Sequence, residues 1–81
     1  MNIYVGNLNY TLSEDDLKDV FENFGDVNSV RIIKDKATGR SKGFAFVDMV
    51  NDSEANKAIS ELNGSDLKGR NMKVNLAKEQ K

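Results

Sequence analysis

The sequence predicts an α+β sandwich with the element order βαββαβ, a four-stranded antiparallel sheet carrying two helices on one face. Three observations predict it. Two stretches repeat apolar residues at helical spacing: Leu17, Val20, Phe21 and Phe24, then Ala55, Ala58, Ile59 and Leu62. Four other stretches alternate with a period of two, as strands do. Finally, residues 42–49, Lys-Gly-Phe-Ala-Phe-Val-Asp-Met, are apolar on both faces of a strand, with Phe44, Phe46 and Asp48 on one side and Ala45, Val47 and Met49 on the other. A half-buried strand would have one polar face. This one is either covered twice or displays its aromatics to something outside the fold.

The first strand is expected over residues 2–8, with Ile3 and Val5 on one face and Tyr4 and Gly6 on the other. Ser13 then caps a helix whose next three residues, Glu14, Asp15 and Asp16, match the positive end of the helix dipole. Gly25 is the expected stop of that helix. Residues 27–34 form the second strand, with Val30 and Ile32 against Arg31 and Ile33, and the basic segment 35–41 joins it to the third. Asn51 with Glu54 makes an approximate capping box for the second helix, which Asn63-Gly64 ends. A turn through 67–70 leads to a fourth strand at 71–77, where Met72, Val74 and Leu76 alternate with Lys73, Asn75 and Ala77. Residues 1–78 read as a single domain and 79–81 as a short frayed tail.

This order is the split βαβ, or ferredoxin-like, arrangement. It sets the first and third strands side by side in the middle of the sheet. Two helices cover one face only, so Ile3, Val5, Ala45 and Val47 are expected beneath them and Tyr4, Phe44 and Phe46 on the open side. An exposed apolar patch of that kind marks a binding surface.

The composition narrows the chemistry. The 81 residues include no cysteine and no histidine, which excludes disulfides, thiolate metal sites and the commonest general base. No apolar run approaches the ~20 residues of a membrane span, and a cytoplasmic protein is expected, with no metal, cofactor or catalytic residue. The net charge is −1, which by itself argues against a polyanionic partner. The distribution of charge points the other way. Residues 14–26 hold six acids and the single base Lys18, whereas residues 31–42 hold Arg31, Lys34, Lys36, Arg40 and Lys42 against Asp35 alone.

At the third strand the sequence resembles the RNA-recognition motif family. Lys42-Gly43-Phe44-Ala45-Phe46-Val47-Asp48 fits seven successive positions of that family's longer ribonucleoprotein motif, with Met49 in place of the final aromatic. Ile3-Tyr4-Val5-Gly6-Asn7-Leu8 matches the shorter one. The resemblance implies that Tyr4 and Phe46 each stack a base, that Phe44 packs against the sugars between them, and that Lys42 contacts phosphate. It also implies contacts from the end of the fourth strand and the tail after it, at Asn75, Ala77 and Lys78. The basic charge run adds Arg31 and Arg40 as expected phosphate contacts, Lys73 is an expected polar or phosphate contact on the fourth strand, and Asp48 is able to accept a hydrogen bond from a base amino group. The compact extent resembles bacterial stand-alone single-motif proteins. The expected partner is single-stranded RNA, with single-stranded DNA bound more weakly, by a monomer acting in post-transcriptional regulation. Two other functions fit the same fold: a protein-interaction module using the first helix or the sheet, and a small phosphatase. The glycine turns around Gly39 and Gly69 lack the spacing of an anion cradle, which disfavours the phosphatase.

Overall fold

The computed structural model describes residues 1–39 and 41–77, apart from the side chains of Ser41 and Lys42. Arg40 and Lys78, both expected to contact RNA, and the expected tail at 79–81 lie outside the described residues. The elements are β1 (Asn2–Gly6), α1 (Glu14–Glu22), β2 (Val27–Lys34), β3 (Ser41–Met49), α2 (Asp52–Leu62), β4 (Asp66–Leu67), β5 (Arg70–Asn71) and β6 (Lys73–Leu76). The main sheet has the order β2-β3-β1-β6 with every pairing antiparallel. β1 and β3 are therefore the central strands, as the sequence predicts.

The core is one cluster between sheet and helices. From the sheet it takes Ile3, Val5, Ile32, Ala45, Val47, Met49 and Val74, and from the helices Leu17, Phe21, Ala55, Ala58 and Leu62. Phe21 is fully buried; hiding a side chain of that size contributes about 1.5–3 kcal/mol. Met49, the departure from the motif's final aromatic, is also fully buried and packs in this cluster.

Several local expectations are corrected. β1 stops at Gly6 because Asn7 enters the left-handed region at φ 57°, which the short amide side chain of asparagine tolerates. Leu8 stays buried, and its amide donates to the Gly43 carbonyl at 2.8 Å. α1 ends at Glu22 with Asn23 still right-handed, and Gly25 has no positive φ. Gly25 instead lies where the Glu54 side chain of α2 presses so closely that a Cβ would collide with it. Asn51 does cap α2, accepting from the Glu54 amide at 3.1 Å, but Glu54 is turned onto Gly25 and does not complete the box. The turn at 67–70 is a true hairpin joining β4 to β5, with Lys68 (φ 51°) and Gly69 (φ 85°) both left-handed, the pattern of a type I′ turn. β6 is consequently shorter than the expected strand, and Leu76 is 52% exposed. It is the last residue of an edge strand, with a pairing partner on one side only.

One backbone amide on each edge of the sheet is engaged by a side chain. The Ile32 amide on the free side of β2 donates to Glu14 Oε2 at 3.1 Å, and the Val74 amide of β6 donates to Asn63 Oδ1 at 3.1 Å. At the start of α1 the capping box is complete: the Asp16 amide donates to Ser13 Oγ, and the Ser13 amide to Asp16 Oδ2, both at 3.1 Å. These bonds from Ser13, with Lys68 Nζ at 3.3 Å, hold the Asp16 carboxyl below the usual carboxylate range. A carboxyl with a lowered folded-state pKa stabilises above its ordinary value and loses that contribution as pH falls through the lowered one. Asp16→Ala is therefore expected to lower the melting temperature at pH 7. The gap to the wild type should close below about pH 3.9, the ordinary aspartate value, as followed by circular dichroism.

Candidate nucleic-acid interface

The open face of the sheet is built by strand alternation. Tyr4 pairs with Phe46 on one side and Asn75 on the other, and Phe46 pairs with Arg31. One row across the sheet therefore reads Arg31–Phe46–Tyr4–Asn75. A second row reads Ser29–Asp48–Asn2, and on the far side of Tyr4 the residue Gly6 pairs with Lys73. The helix-facing neighbours Ile3, Val5, Ala45 and Val47 are fully buried, which fixes the opposite set as outward.

Three rings form a triangle on this face. Tyr4 and Phe44 lie 6.0 Å apart at 32°, Tyr4 and Phe46 6.0 Å apart at 63°, and Phe44 and Phe46 6.2 Å apart at 87°. Centroid spacings of this size in tilted and edge-to-face pairs are favourable for the ring quadrupoles. Phe46 is the most open, at 36% exposure, while Tyr4 and Phe44 are half-buried. Gly6 makes the triangle possible. A Cβ there would come within 2.9 Å of Tyr4 ring carbons, so the Tyr4 ring lies down over the glycine. Placing Tyr4 and Gly6 on one face at a spacing of two was available from the sequence. That the ring would fold along the strand was not.

Gly43 has a separate reason to be glycine. Its φ is +83°, and a Cβ would meet the Tyr10 ring at 2.9 Å. Tyr10 is 66% exposed and lies outside the aromatic triangle. A cleft of about 580 Å³ beside it is lined by Leu12, Ile32, Lys34 and Gly39 and includes none of the three platform rings. Among the described residues no group of His, Cys, Asp or Glu comes together to hold a metal.

Of the charged and polar residues expected in the interface, Arg31, Lys73 and Asn75 stand exposed on the open face around the rings. Lys42 lies in β3, and its side chain is outside the described set. Asp48 is half-buried on the same face. Asn28 Nδ2 donates to its Oδ2 at 2.9 Å, and the Met1 ammonium stands 3.3 Å from Oδ1. The Asn28 bond is the main cause of a pKa below the usual aspartate range, aided by the ammonium and opposed by partial burial.

Two features escaped sequence reasoning. The pairing of β2 with β3 shifts register between Val27 and Ser29, so Asn28 sits in a β-bulge beside Asp48. Asn7 also acts as a clamp: Arg70 Nη2 donates to its Oδ1, and its Nδ2 donates to the Asn71 carbonyl, each at 2.7 Å. Arg70 thus ties the β4–β5 hairpin to the end of β1. No pattern in the sequence signals either.

The RNA recognition motif family model matches residues 3–73. The chain belongs to the RNA recognition motif family. In keeping with this, a protein of the cyanobacterium Nostoc sp. (strain PCC 7120), named "Putative RNA-binding protein RbpD", is 50% identical over 78 residues, covering 96% of this chain and 83% of the relative. Among solved structures, the crystal structure of "RNA Binding Protein PG1" superposes with a TM-score of 0.95 at 47% identity, covering 100% of this chain and 98% of the other. A Sex-lethal protein/RNA complex matches 99% of this chain and 48% of its own at a TM-score of 0.93 and 32% identity. RNA binding is the function that this membership supports. Within the RNA recognition motif described here, Gly6 governs the lie of the Tyr4 ring. Gly6→Ala is expected to shift the Tyr4, Phe44 and Phe46 ring-proton resonances together while stability changes by less than about 1 kcal/mol, because the displaced atoms are the free end of one side chain.

Proposed function

We propose that this chain binds single-stranded RNA on the open sheet face without catalysing a reaction, and that the observation carrying this reading is the triangle of Tyr4, Phe44 and Phe46 rings on that face. Every base has a π-face, so rings on an open surface bind unpaired strands with little demand on sequence, at roughly 1–3 kcal/mol per stacked base. Bases in a duplex are already stacked on one another and cannot use such a platform. Tyr4 and Phe46 stack one base each, and Phe44 packs against the sugars between them. Arg31, Lys73 and Asn75 flank the rings and supply phosphate and polar contacts. Lys42 and Lys78 join them by the family's pattern, and Arg40 by the basic charge of the segment before β3.

Two or three stacked nucleotides, less the cost of ordering a flexible strand, give affinity on the order of micromolar. That affinity falls steeply with salt because cations neutralise phosphates. The protein acts as a monomer in the cytoplasm, in post-transcriptional handling of RNA, and binds single-stranded DNA more weakly. No helix among the described residues is long and apolar enough to cross a membrane.

Phe46→Ala tests the platform, because Phe46 is the most exposed of the three rings and its loss opens no core cavity. RNA affinity by fluorescence titration is expected to fall by roughly 1–3 kcal/mol with the fold intact. Unchanged binding would refute the reading. In a second measurement, adding short RNAs should move the amide resonances of β1 and β3 around Tyr4, Phe44 and Phe46. Shifts confined to α1 would favour the protein-interaction alternative instead.

A further inference from the structure

Asp48 places an anion on the face that receives a polyanion, and the fold takes trouble to hold it there. Val47 and Met49 on either side are fully buried, so Asp48 shares the outward side of β3 with Phe46. Opposite it, β2 carries one extra residue between Val27 and Ser29. Strict alternation would turn Asn28 away from the face of Ser29 and Arg31. With the bulge, Asn28 Nδ2 reaches Asp48 Oδ2 at 2.9 Å. Bulges re-aim side chains in this way, often beside functional sites. The Asp48 side chain is nevertheless 34% exposed.

We propose that the Asn28–Asp48 pair selects the base beside the one stacked on Tyr4, favouring guanine and disfavouring uracil; this rests on the platform reading above. An ionised carboxylate only accepts hydrogen bonds. Oδ2 already accepts from Asn28 and Oδ1 from the Met1 ammonium, and each oxygen keeps a second lone pair that a base edge can reach. Guanine offers N1–H and N2–H₂ side by side, a donor pair that matches two carboxylate oxygens as a guanidinium does. Adenine and cytosine offer one amino group next to a ring acceptor. Uracil offers N3–H between two carbonyl oxygens, both repelled. Two residues of strand span about 6.6 Å, so a base lying on the Phe46 ring carries its edge over Asp48. Asn28 is a positioning residue: its amide fixes the plane of the carboxylate.

The test uses uridine octamers with one central guanosine, adenosine, cytidine or inosine, titrated against the wild type, Asp48→Asn and Asp48→Ala. The wild type is expected to bind the guanosine octamer about tenfold more tightly than octauridine, with adenosine and cytidine between. Inosine, which lacks the N2 amino group, should lose roughly three- to fivefold without any change to the protein. Both variants should bind octauridine somewhat more tightly, since an anion is gone, lose the extra affinity for the guanosine octamer, and so bring guanosine and uridine within about twofold. A wild type that prefers uridine, or a guanosine preference that survives in both variants, would overturn the proposal. If Phe46→Ala weakens binding while the base ranking ignores residue 48, the selectivity alone is wrong. If Phe46→Ala binds like the wild type, the platform itself has failed.

Discussion

Two short helices have only enough apolar surface to cover one side of a four-stranded sheet, and the rest of the molecule depends on that limit. It assigns each residue of β1 and β3 to one of two environments according to parity. Ile3, Val5, Ala45 and Val47 fall on the covered side and are sealed from water. Tyr4, Phe44 and Phe46 fall on the other and pack on one another. The central strands thus hold the core together and present the rings at the same time. A change in register by one residue would exchange the two sets, destroying core and platform together.

The uneven charge serves this division. Two of the three acids at the start of α1 are engaged in holding the fold, Asp16 in its capping box and Glu14 on the β2 edge. They occupy the layer away from the rings. The outward side of the sheet carries Arg31 and Lys73 at opposite flanks of the aromatic row. A net charge of −1 is therefore a poor guide to what any one face attracts, because the field near a surface follows the local arrangement of charge.

Much of this was legible in the sequence because it follows from periodicity and from single-residue chemistry. Helical stripes, strand alternation, the Ser13 cap and the adjacency of the two ribonucleoprotein motifs need no knowledge of tertiary contacts. What was not legible depends on pairs of distant residues. Gly25 looked like a helix stop and is instead a point of close approach by Glu54. Asn7 looked like a strand residue, yet it turns left-handed and joins Arg70, 63 positions away. The bulge at Asn28 leaves no local signature, since its cause is the pairing with β3. Leu76 kept its apolar parity but lost its cover at the end of an edge strand.

The engaged edge amides have a consequence for crowded conditions. A sheet grows by offering unpaired amides and carbonyls to another strand, and here one edge amide on each flank, Ile32 and Val74, is already spoken for by Glu14 and Asn63. Strand addition would first have to displace a side chain anchored on a helix, or just past the end of one. At these two positions the edges resist the pairing of one copy's sheet with another's.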